Sequence, residues 1–207
     1  MPRERAITID SDGLRLEGAL REGNGAIAVL MLHPHPQYGG DMSNHVVTAA
    51  CDALAALGAA TLRFNFRGTG RSEGTYDGGG GEANDARAAA LMLRAENPGA
   101  KFVLAGYSFG AMVAANAAAD VQPEALMLIS PPVGMVELPA FDASLAVLVA
   151  AGDRDPVAPA SAIRALEGAG RTIVIAPGVD HGWWPGLDLL AAAVTDFVKT
   201  SVAVSSA

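Results

Sequence analysis

Short runs of apolar residues, each bounded by glycine, proline or asparagine, recur along the chain and are typical of buried strands. Longer segments rich in alanine, leucine and methionine lie between them and predict helices. The first two strands differ, because the alternating stretches 6–9 and 14–20 lie on either side of the turn residues Ser11-Asp12-Gly13, and this combination predicts a hairpin. Beyond the hairpin, strands and helices alternate, which predicts an α/β fold with a mostly parallel sheet and helices on both faces.

The predicted elements leave no room for a proline- or serine-rich linker, and no internal repeat is visible. At 207 residues, of which 51% are hydrophobic, the chain is long and apolar enough to bury one core. We therefore expect a single domain over residues 1–207. After the hairpin, strands are predicted at 26–32, 101–105, 125–129, 145–151 and 171–176, and helices at 44–57, 82–96, 109–120, 159–166 and 187–202.

The pentapeptide Gly106-Tyr107-Ser108-Phe109-Gly110 stands between a predicted strand and a predicted helix. A G-x-S-x-G motif in that setting is typical of a sharp turn that lifts the serine hydroxyl above the sheet. The first N–H groups of the helix have no intrahelical partner, so the N–H of Phe109 would face the negative charge on a carbonyl group attacked by Ser108. The motif therefore predicts that Ser108 is a nucleophile.

A nucleophilic serine needs a base and an acidic residue that orients the base. In this architecture the chain order is serine, then Asp or Glu, then His. Asp153 and Asp155 follow the strand predicted at 145–151, and His181 follows the strand predicted at 171–176. Because open α/β sheets carry their sites at the carboxyl ends of their strands, we expect these side chains to lie near Ser108.

In these segments the chain resembles the α/β-hydrolases, and more narrowly the small bacterial serine hydrolases that lack a cap domain and carry an H-P-H-P-x-x-G-G loop. The matching segments are the loop at 33–40, the stretch F-N-F-R-G-T-G-R-S-E-G at 64–74, the serine motif, the acidic loop at 152–159, and Asp180-His181. The resemblance implies an α/β-hydrolase fold with no cap domain. It also implies a catalytic triad in which Ser108 is the nucleophile, His181 the general base and Asp155 the acid that holds the imidazole.

Two carboxylates compete for the acid role, because Asp153 and Asp155 lie in one turn. The family's pattern in the acidic loop selects Asp155. Asp153 is expected instead to close the turn with an Asx-type hydrogen bond.

An oxyanion site needs a second donor beside the N–H of Phe109, normally from the loop after the third strand. In this chain that is the loop at 33–40, whose two prolines have no N–H to donate. The remaining candidates are His35 and, as alternatives, Gln37 or Tyr38. The prolines are also expected to stiffen the loop.

No cofactor and no metal are predicted. His33 and His35 form an H-x-H pair, but two such residues on an extended segment point to opposite faces, and no cysteine or carboxylate pair nearby completes a tetrahedral set. We expect His33 to anchor its loop by hydrogen bonds and His45 to be structural. The stretch 68–74 lacks the spacing of a phosphate-binding loop, and 78–81 is expected to be a flexible hinge.

A formal net charge of −8 and a pI near 4.9 argue against nucleic-acid partners and against binding to anionic membrane surfaces. No signal peptide is evident at the start of the sequence, and the apolar runs are too short to span a bilayer. The single cysteine, Cys51, lies in a predicted helix and is expected to be a buried apolar residue. A cytoplasmic location is the expectation.

The segment 130–144, which joins two predicted strands, is too short for a lid. An open site of this kind is expected to take small esters with short acyl groups, with Tyr38 and Trp183 as candidate substrate-binding residues on its walls. Acyl transfer, and cleavage of a thioester or amide, would use the same triad, and a non-catalytic binding module is a further alternative. A homodimer that meets through Trp183 and Trp184 would be one way to cover the site.

Overall fold

In the computed structural model, residues 4–202 are described, and these residues form one sheet of eight strands. The order of the strands across the sheet is β1-β2-β4-β3-β5-β6-β7-β8. The strands are β1 (Glu4–Ser11), β2 (Leu14–Arg21), β3 (Ile27–Leu32), β4 (Ala60–Phe64), β5 (Lys101–Tyr107), β6 (Ala125–Ile129), β7 (Ala146–Gly152) and β8 (Arg171–Ala176).

The sheet is parallel except at the amino-terminal hairpin. β1 pairs antiparallel with β2, and β2 pairs antiparallel with β4, whereas all neighbours from β4 to β8 pair in parallel. The carboxyl ends of β3, β5, β7 and β8 therefore meet at one edge of the sheet, where an open α/β sheet carries its site.

Helices cover both faces of this sheet, as the alternation of elements predicts. The helices are α1 (His45–Ala56), α2 (Gly80–Glu96), α3 (Phe109–Val121), α4 (Ala160–Arg164) and α5 (Leu187–Phe197), with a short 3₁₀ turn at Pro36–Tyr38 and a π turn at Val198–Val202 that extends α5. α1 and α5 pack on one face around Val29, Met31 and Val103, and α2, α3 and α4 pack on the other around Leu30, Leu32 and Leu104. Successive strand residues thus point to opposite cores, which is why the central strands β3, β6 and β7 are apolar along their whole length.

Most predicted elements lie within one or two residues of their observed bounds, and the fold class is confirmed. Three predictions need correction. The helix predicted at 159–166 is the shorter Ala160–Arg164, and β4 was not predicted. The glycine run at 78–81 is not a hinge, because Gly80 and Gly81 form the first turn of α2, where the carboxylates of Asp77 and Glu82 accept backbone N–H groups of the run.

The connection between β6 and β7 contains no helix, so no lid covers the carboxyl edge of the sheet. Cys51 is buried in α1, as predicted, and burial raises the pKa of its thiol to about 12. Within residues 4–202, no helix is both long enough and apolar enough to cross a membrane.

Candidate active site

Ser108 occupies the turn between β5 and α3 in a strained backbone conformation. Its φ and ψ are 55° and −118°, a combination that a non-glycine residue keeps only where the surrounding structure enforces it. A Cβ on Gly106 would lie 2.2 Å from the carbonyl oxygen of Gly110, and a Cβ on Gly110 would lie 2.5 Å from the carbonyl oxygen of His33. Only glycine fits at either position, so the close approach of α3 to β5 and to the end of β3 explains both glycines of the motif.

A chain of hydrogen bonds runs from Ser108 through His181 to Asp155. Ser108 Oγ lies 3.0 Å from His181 Nε2, and His181 Nδ1 lies 2.9 Å from Asp155 Oδ2 and 3.0 Å from Oδ1. Because an ionised carboxylate only accepts hydrogen bonds, the imidazole proton lies on Nδ1, and the lone pair of Nε2 faces the Ser108 hydroxyl. The structure thus brings together the three residues that the resemblance implied, in the order nucleophile, base and acid.

The Asp155 carboxylate is buried at the end of β7 and accepts hydrogen bonds from the backbone N–H groups of Val157 and Ala158, each at 2.9 Å. Burial alone would raise its pKa. The hydrogen bonds from His181 and from the backbone N–H of Ala158 outweigh that effect, and the pKa of Asp155 is lowered from its ordinary value. The carboxylate is therefore ionised where it meets the imidazole.

Asp153 lies in the same loop but has another partner. Its Oδ1 accepts the N–H of Gly178 at 2.7 Å and so ties the loop after β7 to the loop after β8. The Asx-type hydrogen bond predicted for Asp153 is made by Asp155 instead, which accepts the N–H of Val157 two residues further on. That prediction was wrong, because the turn chemistry does not show which of two nearby carboxylates turns toward its own backbone.

Two side chains hold the loop that carries His181, and the sequence analysis predicted this role for neither of them. Tyr107 Oη donates a hydrogen bond to the His181 carbonyl oxygen at 2.7 Å, and His45 Nε2 donates one to the Gly182 carbonyl oxygen at 2.6 Å. The exposed indole of Trp184 stacks on the His45 ring, with 3.9 Å between the ring centroids. Burial raises the pKa of Tyr107, which keeps its hydroxyl protonated as a donor. The only signal in the sequence for Tyr107 is its place beside the nucleophile.

The loop at 33–40 leaves one free donor for the oxyanion. The N–H of Gln37 donates to His35 Nδ1 at 3.2 Å, and the N–H of Tyr38 donates to the His35 carbonyl oxygen at 3.1 Å. Both alternatives to His35 are thus occupied within the loop. Among residues 4–202, the backbone N–H groups of His35 and Phe109 find no protein acceptor, and both residues line the cavity that contains Ser108.

His33 anchors this loop, as predicted. Its Nδ1 donates to the Pro34 carbonyl oxygen at 2.7 Å, and its Nε2 accepts the N–H of Phe66 at 3.1 Å. Burial lowers the pKa of His33 to about 4, so the ring is neutral, as one donating and one accepting nitrogen require. Both ring nitrogens are therefore occupied, one by the loop itself and the other by the backbone of Phe66. In the described part of the chain, no three His, Cys, Asp or Glu side chains cluster as a metal site would need.

A cavity of about 540 Å³ opens beside Ser108, within the range of roughly 300–1,000 Å³ that is typical of small-molecule sites. Tyr38, a predicted wall residue, lines it and is 87% exposed. The His35 ring lies between Tyr38 and Tyr76, and the Tyr76 hydroxyl is 3.1 Å from His35 Nε2. The other apolar side chains of the lining are Phe109, Met112, Met135, Val136 and Val157.

The prediction that Trp183 contacts the substrate needs correction. Trp183 is completely buried in the core beneath α5, and its indole Nε1 donates to Ser130 Oγ at 2.9 Å. Its neighbour Trp184 is the exposed one, at 70%. Adjacent residues in a turn point in different directions, and the sequence Trp183-Trp184 does not show which of the two side chains faces the core. Burial also removes Trp183 from any surface on which a second copy could pack.

Comparisons with known proteins agree with this geometry. The family model described as serine aminopeptidase, S33, matches residues 29–146. An uncharacterised protein from Rickettsia prowazekii is 38% identical over 162 residues, which are 73% of this chain and 67% of that protein. The crystal structure of an α/β serine hydrolase without a lid from Xanthomonas campestris is 35% identical and has a TM-score of 0.86 over 95% of this chain and 94% of that one. Est1E from Butyrivibrio proteoclasticus, in a structure with ferulic acid bound, is 22% identical, with a TM-score of 0.82 over 96% of this chain and 100% of that one, and shows the shared fold alone.

Proposed function

The chain belongs to the α/β-hydrolase superfamily, in the family described as serine aminopeptidase, S33, and we propose that it cleaves small carboxylic esters through an acyl-enzyme intermediate. One observation carries this proposal: the unbroken hydrogen-bond chain from Ser108 through His181 to Asp155, with its serine end in an open cavity. A complete triad also argues against a binding module without catalysis, since such a module has no need of an activated serine.

The groups have the following roles in the proposed reaction. Ser108 Oγ attacks the ester carbonyl carbon while His181 Nε2 takes its proton, and Asp155 stabilises the resulting imidazolium. The N–H groups of Phe109 and His35 donate to the oxyanion of the tetrahedral intermediate. His181 then gives the proton to the departing alcohol, which leaves an acyl group on Ser108. Water then enters through the open cavity and attacks the acyl carbon while His181 takes its proton. His181 passes this proton to Ser108 Oγ as the bond between Ser108 and the acyl group breaks, which releases the acid and restores the serine.

The lining of the cavity favours an ester over a peptide with a free amino terminus. A bound α-ammonium group needs a carboxylate partner once it leaves water. None of the described residues that line the cavity is Asp or Glu, and Asp155 is buried behind His181. The walls next to Ser108 are apolar, with Phe109, Met112 and Val157 among them. A neutral ester with a small apolar acyl group is the substrate that these walls fit.

A panel of substrates separates the reactions that one triad can perform. We expect turnover of p-nitrophenyl acetate and butyrate, with kcat/KM higher for butyrate, because each methylene buried against the cavity wall contributes about 0.8 kcal/mol. The gain in kcat/KM should end at octanoate and laurate. Met135 and Tyr38 at the mouth of the cavity are exposed, and no described residue covers a longer acyl chain there. With no lid to open, the rate should show no jump as an ester passes its solubility limit.

The same panel includes an amino-acid p-nitroanilide, an acyl thioester and an ester assayed with added alcohol. Faster cleavage of the anilide or the thioester than of butyrate, or transfer of the acyl group to the alcohol in preference to water, would replace the ester-hydrolase proposal by the corresponding alternative. A preference for laurate with interfacial activation would contradict the open site.

The proposed mechanism also fixes the sign of the pH dependence. His181 accepts the Ser108 proton only when its imidazole is neutral, so kcat/KM should fall as the pH drops and the ring becomes protonated. The pKa of Asp155 is lowered from its ordinary value by hydrogen bonds that outweigh its burial, so protonation of Asp155 should not contribute to this fall. The acid side of the profile should therefore fit one ionisation, measured with p-nitrophenyl butyrate. A second ionisation on the acid side of the pH profile would contradict the assignment of Asp155 as the ionised acid.

A further inference from the structure

Four aromatic side chains form one wall of the cavity, and none of these side chains takes part in the proposed reaction. The His35 ring lies at the centre of the group. The ring centroids of Tyr38, Tyr76 and Phe109 are 4.8, 5.0 and 4.9 Å from the His35 centroid. All four residues line the cavity that contains Ser108. Because His35 and Phe109 also carry the backbone N–H groups proposed for the oxyanion, this wall belongs to the oxyanion side of the cavity.

The direction of the hydrogen bond between His35 and Tyr76 follows from the chemistry of the two groups. His35 Nδ1 accepts the backbone N–H of Gln37 at 3.2 Å and therefore carries no proton. Burial lowers the pKa of His35, which agrees with a neutral ring. The ring proton is thus on Nε2, which donates to Tyr76 Oη at 3.1 Å. Because Oη accepts this hydrogen bond, its own proton is left for another acceptor.

The Tyr76 hydroxyl is held by His35, but its proton finds no acceptor among residues 4–202. Tyr76 lines the cavity and is only partly buried. Burial raises the pKa of Tyr76, so the hydroxyl stays protonated as a donor. By contrast, the Tyr107 hydroxyl and the side-chain oxygen of Asn44 are bound to backbone groups. Tyr76 therefore offers an oriented donor to a molecule bound in the cavity.

The acceptor that fits this donor is neutral. Asp77 directly follows Tyr76, and the carboxylates of Asp77 and Glu82 accept backbone N–H groups at the start of α2. The negative charge of this pair disfavours an anionic group beside Tyr76. Small-molecule cavities combine apolar walls with a few polar groups that fix the orientation of the ligand. A hydroxyl, ether or keto oxygen on a small carbon chain meets both conditions.

We propose that Tyr76 is a specificity-determining residue, whose hydroxyl donates a hydrogen bond to a neutral oxygen acceptor close to the ester group of the substrate. The inference rests on the proposed function and names a class of ester within it. The apolar walls bury the carbon chain, and the Tyr76 hydroxyl distinguishes an oxygen from a methylene group at one position of that chain. Tyr38 is not expected to do the same, because it is exposed and water competes for its hydroxyl.

The test uses two pairs of esters in which an oxygen replaces one methylene group. p-Nitrophenyl methoxyacetate and p-nitrophenyl butyrate differ in this way in the acyl part, and 2-methoxyethyl butyrate and butyl butyrate differ in the same way in the alcohol part. The readout is the ratio of kcat/KM for the ether ester to kcat/KM for the alkyl ester. Tyr76→Phe should lower this ratio about two- to tenfold in at least one pair, because one hydrogen bond to a neutral acceptor is lost.

The comparison between variant and wild type isolates the hydroxyl. Intrinsic reactivity, and any effect of the substitution that is common to both esters of a pair, cancel in the change of the ratio. Phenylalanine keeps the ring that packs on His35 and Phe109, so we expect Tyr76→Phe to fold, as circular dichroism would establish. The pair in which the ratio falls shows whether the acyl or the alcohol part carries the oxygen.

Tyr38→Phe is the matched control, because Tyr38 packs on the same His35 ring. Its ratio should equal that of the wild-type protein in both pairs. The inference would be overturned if Tyr76→Phe left both ratios unchanged, or if the ratio fell in Tyr38→Phe instead.

If the wild-type protein hydrolyses none of these esters, the proposed function fails, and a second set of probes still decides the inference. The probes are p-nitrophenyl phosphonates with the same replacements, methoxymethyl for propyl on phosphorus and 2-methoxyethoxy for butoxy. Ser108 Oγ displaces p-nitrophenolate from each probe and stays labelled, so no acyl-enzyme has to turn over. The relative labelling rate of an ether probe should fall in Tyr76→Phe, and unchanged labelling ratios in both pairs would overturn the inference.

Discussion

Replacing Ser108 with alanine is expected to lower kcat/KM for p-nitrophenyl butyrate by on the order of 10⁴-fold or more. The hydroxyl is the only group that the proposed reaction converts to an ester, and alanine leaves His181 without a proton to accept. The strained turn tolerates the change because alanine is smaller than serine and the glycines of the motif remain. Steady-state rates, with circular dichroism to establish the fold, measure the effect.

Ser161→Ala is the matched control, because this serine is exposed on α4. Its rate should equal that of the wild-type protein. A Ser108→Ala variant that is folded and retains most of its activity would remove Ser108 from the reaction and the acyl-enzyme route with it.

Asp155→Asn is expected to lower kcat by about 10⁴-fold, the size of the loss known where an orienting aspartate is replaced beside a catalytic histidine. Asparagine has about the same size as aspartate, but its amide offers N–H donors where His181 Nδ1–H needs an acceptor. The imidazole then turns or adopts the other tautomer, and Nε2 can no longer take the Ser108 proton. Rates at saturating substrate measure the loss.

Asp153→Asn provides the comparison within the same turn. Asp153 Oδ1 accepts the N–H of Gly178, and the carbonyl oxygen of asparagine can accept it equally well, so the rate should stay within about threefold of wild type. If Asp153→Asn lost more activity than Asp155→Asn, the acid would have been assigned to the wrong residue.

The sequence predicted the sheet well where a strand is a short run of mostly apolar residues. β6 and β8 match their predicted bounds because short apolar runs between turn residues have few other interpretations. β4 was missed because its five residues include Arg63 and follow an alanine-rich helix without a break in composition. β4 is stabilised as a strand by its pairing with β2 and β3, and this pairing is not visible in its own residue pattern.

The meeting of Ser108, His181 and Asp155 was predictable because the chain order and the strand ends determine where these side chains lie. Their supports were not predictable. Tyr107 and His45 reach the loop that carries His181 through contacts that span 74 and 137 residues of sequence, and no local pattern records such contacts. Trp183 shows the same limit, since its burial is decided by the packing of α5 and not by its neighbours in the sequence.

The strands that precede Ser108 and His181 differ in how deeply they are buried in the sheet. Ser108 follows β5, which is buried in the middle of the sheet, whereas His181 follows β8, the last strand in the sheet order, most of whose residues are only half-buried. Strands at the edge of a sheet open locally at a lower free energy than strands at its centre. Mild heat or denaturant would therefore separate the base from the nucleophile while most of the sheet is still intact. We therefore expect the proposed ester hydrolysis to be lost at a lower temperature or denaturant concentration than the one that unfolds the whole sheet.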